Sequence, residues 1–238
     1  MAWLLEITDG GQDLYPEIKK RARKKLRNWR KGPEKNFDMV RLYMMLNFGY
    51  YITESSEHLS EYLPFFIKKS YPHLIEEFNI PLDEYPRRCV NQIERWKDHK
   101  KSLRGNGLTH ERSHEYGSFI MEAMTTGEPT VIGGNVLNNG LITNLPNNAC
   151  VEVSCLVDKN GIQGTYVGDL PEQCAALNRT NINTQLLTLE AAFTLKKDHI
   201  YQAAMLDPHT SAELSIDDIR SLCNDLIKAH GQWLPKFK

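Results

Sequence analysis

Apolar positions change their spacing several times along the chain. Residues 2 to 8 carry a short apolar run closed by "DGG" at 9 to 11, which reads as a strand and a turn. Residues 15 to 30, "YPEIKKRARKKLRNWR", place Ile18, Ala22, Leu26 and Trp29 at helical spacing, with Pro16 and Glu17 in a suitable first turn. "KGPEKN" breaks that helix, and a second is expected over 37 to 48, ended by Gly49. "TESSEHLSEYLPFF", 53 to 66, reads as a third helix with Thr53 as N-cap. A fourth is expected over 81 to 102, its true start delayed by Pro86.

The pattern changes at Gly105. One helix is expected over about 113 to 125, then short strands with Asn-Gly turns at 139–140 and 160–161. "VEVSCLVD" is apolar in both phases, which predicts a covered strand rather than an edge. After Pro171 the spacing is helical over 172 to 194, 197 to 205 and 215 to 230, with Pro208 separating the last two. The sum is an α+β chain, mostly helical, with a small mixed sheet.

Composition narrows the function classes. The 238 residues are 41% hydrophobic and 25% charged, with a formal net charge of -1. That balance argues against a chain whose main work is holding a phosphate backbone, so no nucleic-acid partner is expected. Nine Lys and Arg between 19 and 31 read as the solvated face of a helix. No apolar run is long enough for a membrane span, and the amino end lacks a signal-peptide pattern. The five cysteines are scattered and form no C-x-x-C pair, which suits reduced thiols in a cytoplasmic protein.

Candidate chemistry gathers in two polar clusters. Glu54, Glu57, His58 and Glu61 fall on one helical face, beside a seam that holds His58 and Tyr62 four residues apart. Arg112, His114, Glu115 and Tyr116 form the second cluster. Either could bind a polyhydroxylated ligand. Asn135, Asn138, Asn139 and Asn144 could add donors and acceptors, and the turn reading is favoured for each. "HERSH" at 110 to 114 matches the H-E-x-x-H expression, yet nearby glycines and the lack of a third ligand argue against a zinc site. There is no G-x-G-x-x-G after a strand and no G-x-S-x-G elbow.

Longer blocks carry a resemblance. "GYYITESSEHLSEYLPFF", "RSHEYGSFIMEA", "GNVLNNGLITNLPNNACVEVSCLVD", "VGDLPEQCAALNRTNIN" and "YQAAMLDPHTSAELSIDDI" are similar, in order, to the C-terminal half of family 4 glycoside hydrolases. The branch resembled is that of melibiose-type α-galactosidases. The resemblance implies hydrolysis of α-galactosides with NAD and a divalent metal, typically manganese, through oxidation at C3 and loss of the C2 proton. It implies Tyr62 as the C2 base, with Glu57 and His58 as cleft residues beside it. Arg112, His114 and Glu115 resemble a second polar block of the substrate side. Asn138, Asn139 and Asn144 match the family's "NxGxIxNLP" run. Leu137, Ser154 and Gly164 stand where prolines are usual. Glucosides, glucuronides or galacturonides are alternative substrates, and a non-catalytic oligomerisation module is the reading from a different class.

The resemblance also sets expectations about what is missing. Family members begin with an NAD-binding Rossmann domain and carry a Cys and a His as metal ligands, the His in "NHMAW". This sequence opens "MAWLLEI", an apolar segment at its very start, which hints that something precedes it. Residues 1–238 are therefore expected to be a substrate-side domain, with a subdivision at 104/105. Cofactor and metal would not be bound by this chain alone, and it would be inactive by itself. The expected partners are a sugar, a separately encoded N-terminal half and further copies in a homo-oligomer.

Overall fold

The computed structural model describes residues 2–103 and 112–238. In chain order its strands are β1 (Trp3–Leu4), β2 (Thr8–Asp9), β3 (Gln12–Asp13), β4 (Tyr51–Ile52), β5 (Thr130–Leu137), β6 (Cys150–Asp158) and β7 (Gly161–Gly164). Its helices are α1 (Tyr15–Lys31), α2 (Met39–Phe48), α3 (Ser56–Tyr62), α4 (His73–Glu77), α5 (Glu84–Ser102) and α6 (Gly117–Thr126), then α7 (Glu172–Thr194), α8 (Lys197–Leu206), α9 (Pro208–Glu213) and α10 (Ile216–His230). The architecture is α+β and mostly helical. None of the described helices is long and apolar enough to cross a membrane.

The chain forms two compact units. One holds residues 1–80, 135–152 and 166–238; the other holds 81–134 and 153–165. A division at 104/105 lies outside the described residues.

The first unit is built on helices. Leu26, Met39, Val40, Met44, Ile52, Leu59, Leu63 and Phe66 bury together with Phe78 and Ile80. Two short antiparallel pairs trim this core. β1 pairs with β4, Trp3 opposite Ile52, and β2 with β3 through the Gly10–Gly11 turn. The expected strand over 2 to 8 is therefore two separate two-residue strands. Residues 5 to 7 pair with neither, because β4 is too short to extend the ladder. Trp3 Nε1 donates to Asn178 Oδ1 on α7 at 2.9 Å. A smaller cluster of Tyr201, Ile219 and Cys223 fixes α8 to α10.

In the three-stranded sheet β6 stands between β5 and β7. Register with β7 runs from Cys155 opposite Gly164 to Asp158 opposite Gly161. Gly134 on β5 is required by contact, since a Cβ there would lie 2.7 Å from Cys155 Sγ. β6 is central, as its apolar content predicts, but only one face is covered. Val151, Val153, Cys155 and Val157 are buried while Cys150, Glu152, Ser154 and Leu156 are exposed. That is the alternation of a sheet with one solvated face.

Several helix boundaries also moved. Ser55, not Thr53, caps α3, because Ser55 has the extended backbone from which its oxygen accepts the His58 N–H. α5 begins at Glu84, before Pro86 rather than after it. Proline in a first turn gives up no intrahelical bond.

Candidate functional site

α3 is short, and its buried side determines what its other side shows. Leu59 and Leu63, four apart, and Phe66 beyond the helix end are at most 2% exposed. Ser60 is also buried, its hydroxyl donating to the Glu57 carbonyl at 2.6 Å. With that face turned inward, Glu54, His58 and Tyr62, spaced by four, line up on the outer side. Glu54 Oε1 lies 3.2 Å from His58 Nδ1 and accepts the Ser55 N–H at 3.0 Å. The His58 ring stacks on Tyr62, with centroids 6.0 Å apart and planes inclined by 23°. Tyr62, the last residue of the helix, is 40% exposed.

This row has a defined electrostatic character. Burial alone would raise the Glu54 carboxyl, but the Ser55 N–H and the His58 ring more than offset it, and the group is held below the usual glutamate range. Tyr62 moves the other way. Burial first, then the charges of Glu54 and Glu61, push its phenol above the usual tyrosine range. At neutral pH the row has a carboxylate at one end and a neutral phenol at the other, with the His58 ring between them. It can hydrogen-bond sugar hydroxyls as it stands. Tyr62 can accept a proton only where additional positive field offsets the two carboxylates.

The surroundings are tied to the row through the backbone. Thr53 N–H donates to the Ala2 carbonyl at 3.0 Å, so β1 begins beside the start of α3. Arg41 N–H on α2 donates to Ser56 Oγ at 3.3 Å. Close by, Asp38 pairs with Arg41 and accepts the Tyr51 hydroxyl at 2.9 Å. Burial, then the Asp38 hydrogen bond, push the Tyr51 phenol up to about 12. Sequence reading passed over this trio. The signal was present in the Asp38–Arg41 spacing of three at a helix start.

The remaining predicted residues divide by location. Asn138 is fully buried and committed to its own loop. Its Nδ2 donates to the carbonyls of Ile142, Leu145 and Pro146 at 2.9–3.1 Å, and its Oδ1 accepts Ile142 N–H at 2.7 Å. Asn144 pairs in both directions with the backbone of Leu170, at 2.8 and 3.0 Å. Both amides hold chain to chain. Arg112, His114 and Glu115 belong to the second unit. There Arg112 binds Glu122 Oε2 at 2.6 Å and lies 3.9 Å over the Phe119 ring. Glu115 N–H donates to Ser113 Oγ. His110 and Glu111 of the H-E-x-x-H match lie outside the described residues.

Among the described residues no three His, Cys, Asp or Glu side chains are placed to hold a metal ion. The glycines with positive φ close turns and helix ends rather than a strand-to-helix phosphate loop.

The chain belongs to the glycosyl hydrolases of family 4: residues 1–210 match the family model described as the family 4 glycosyl hydrolase C-terminal domain. It is 62% identical over its whole length to an α-galactosidase of Bacillus subtilis (strain 168), covering 54% of that protein. Over 84% of the chain it is 32% identical to an α-galactosidase of Rhizobium meliloti (strain 1021), covering 43% of that relative. The chain thus spans about half the length of the curated relatives it matches. In fold it is similar to a 6-phospho-α-glucosidase from gut microorganisms solved with NAD and Mn2+. The TM-score is 0.68 at 20% identity, covering 99% of this chain and 54% of that one.

Proposed function

We propose that this chain is the sugar-side half of an α-galactosidase, and that Tyr62 is the group that takes the proton from C2 of the bound sugar. The observation that carries the reading is the 62% identity to the Bacillus subtilis α-galactosidase along the entire chain. The Glu54–His58–Tyr62 row supports it, because it puts a phenol at an accessible helix end with two hydrogen-bonding neighbours behind it. Glu57 and His58 are the sugar contacts on this helix. Arg112, His114 and Glu115 are assigned a substrate-side role by resemblance, while Asn138 and Asn144 keep the shape of their loop.

The family's NAD and manganese would supply oxidation at C3 and positive charge near the sugar oxygens. Other sequence would complete their sites, since among the described residues no three His, Cys, Asp or Glu side chains are placed to hold a metal ion. This chain's contribution is narrower: to orient the sugar along α3 and to hold or move one proton at Tyr62 Oη. Ala2 lies beside Thr53 at the start of the α3 row.

The test supplies the rest of the Bacillus subtilis relative, of which this chain spans 54%. The chain alone should show no galactoside turnover. Combined with the preceding segment of the Bacillus subtilis relative, it should turn over an α-galactoside and leave deuterium at C2 of product formed in D2O. In that combination Tyr62→Phe should lower kcat by a factor on the order of 10² to 10⁴ with the fold retained. Full turnover by Tyr62→Phe would return Tyr62 to the role of a core-edge aromatic.

A further inference from the structure

α1 concentrates positive charge that its surroundings leave largely unanswered. Nine of the chain's 29 Lys and Arg fall between residues 19 and 31, where no Asp or Glu stands. Tyr15, Ala22 and Leu26 turn the opposite face of the helix into the core. Lys20, Lys24, Arg27 and Lys31, each three or four residues from the next, therefore run along its outer face. Like charges at this spacing oppose the helix that carries them. Some of the nine are answered locally. Glu17 lies 2.8 Å from Arg21 and 3.8 Å from Lys20, Arg30 pairs with Glu77, and Lys19 sits over the Tyr15 ring. Among the described residues, Arg23, Lys24, Arg27 and Lys31 have no carboxylate within ion-pair distance.

One flank of the helix opens on a groove of about 360 Å³. Ile18, Trp29, Phe37 and Leu42 give it an apolar lining, and Arg21 and Lys25 bring two cations to it. Lys25 Nζ lies 5.6 Å from the centre of the Trp29 ring. Phe37 is 74% exposed, although it borders this apolar lining. An apolar groove and a row of unpaired cations thus share one helix.

We propose that this groove and the basic row beside it dock an acidic segment of a partner protein. One apolar side chain of that segment sits against Trp29 and Phe37, and its carboxylates meet Lys24, Lys25 and the outer row. The occupant follows from charge complementarity. A two-fold contact of two copies through α1 would set cations against cations. A membrane surface fits poorly, because the apolar face of α1 is already spent in the core and has nothing to insert. A nucleic acid fits poorly for a different reason. α1 spans only about 25 Å. All 30 Asp and Glu lie outside the basic run, so a phosphate backbone long enough to leave it meets net negative charge. A short acidic segment stays on the row. The contact is small, so micromolar binding that weakens steeply with salt is the expected strength.

Fluorescence anisotropy with the full chain reads this directly. The probe is a short fluorescein-labelled peptide of Glu and Gly with one central Phe, and a second probe has Ser in place of that Phe. At low ionic strength the Phe peptide should bind in the micromolar range and the Ser peptide about tenfold more weakly. Lys24→Glu combined with Lys25→Glu should weaken both peptides by about tenfold or more, and Phe37→Ala should weaken only the Phe peptide. The three side chains are exposed, so the circular dichroism spectrum should not change. Failure of the Phe peptide to bind would overturn the proposal. So would binding indifferent to the paired lysine change or to Phe37→Ala. A single-stranded DNA of the same length that bound more tightly than the Phe peptide would make the row a nucleic-acid surface and overturn it too. Loss of peptide binding once the rest of the Bacillus subtilis relative is added would give the face to that segment instead.

Discussion

Asn138 shows what a single side chain can hold. One amide ties three carbonyls and one N–H of the loop between β5 and β6, with no solvent contact. Asn138→Ala would take the side-chain partner from the Ile142 N–H and the Leu145 carbonyl, while the Ile142 and Pro146 carbonyls still accept the Leu145 and Ala149 N–H groups; the expected cost is roughly 1–3 kcal/mol for an unsatisfied group. Urea unfolding of the chain should show a lower midpoint by about that much, with the slope unchanged. Sequence alone offered this residue both as a turn former and as a sugar contact, because an Asn in a glycine-broken stretch satisfies either description. Only the count of its committed hydrogen bonds separates the two. The neighbouring Asn-Gly pair was legible from its residues. Asn139 and Gly140 both have positive φ, 43° and 84°, which that pair tolerates. The Glu54, His58 and Tyr62 alignment was readable too, since spacing by four fixes a face. The direction in which Tyr62 titrates was not. It depends on how closely Glu54 and Glu61 approach the phenol.

At the level of elements, long helices with clear stoppers were legible and short ones were not. α7 occupies 172 to 194 as its spacing predicts, and Pro208 opens α9 rather than merely separating its neighbours. α4 has five residues and no buried side chain, so periodicity had nothing to register. α9 docks through its last residue. Glu213 Oε2 accepts Lys69 N–H at 2.9 Å, and its other oxygen lies 3.2 Å from the Lys68 ammonium. The Lys69 N–H first, and Lys68 after it, hold the Glu213 carboxyl below the usual range. A lowered carboxyl stabilises the folded state fully above the ordinary glutamate value, and that stability is lost as pH falls through the folded value. Thermal unfolding should therefore find wild type more stable than Glu213→Gln at pH near 7, with the gap closing below about pH 4. A gap that persisted in acid would mean the contact does not depend on the charge.

Across the whole molecule the thiols provide a check on burial. Cys89 and Cys150 are exposed, whereas Cys155, Cys174 and Cys223 are buried. Burial pushes the Cys174 thiol up to about 11. A thiol reagent at neutral pH should label two cysteines quickly and the other three only on unfolding. Fast labelling of more than two would mean that one of these cores opens readily. The absence of pairing was legible from the spacing of the five cysteines, but which three lie inside was not. Burial is decided by partners distant in sequence, as when β6 covers one face and bares the other. At the far end of the chain, Lys238 N–H donates to the Leu195 carbonyl at 2.7 Å, and Lys197 N–H donates to the Lys238 carbonyl at 3.0 Å. These bonds close α8, α9 and α10 into a non-covalent ring that starts where α7 stops, at a leucine with φ 55°. Apart from the Tyr201, Ile219 and Cys223 cluster inside it, the ring is closed against loop entropy by two backbone hydrogen bonds at Lys238, an exposed residue. It should open well below the temperature at which the core melts, and amide exchange at Lys197 and Lys238 would time the opening of that clasp.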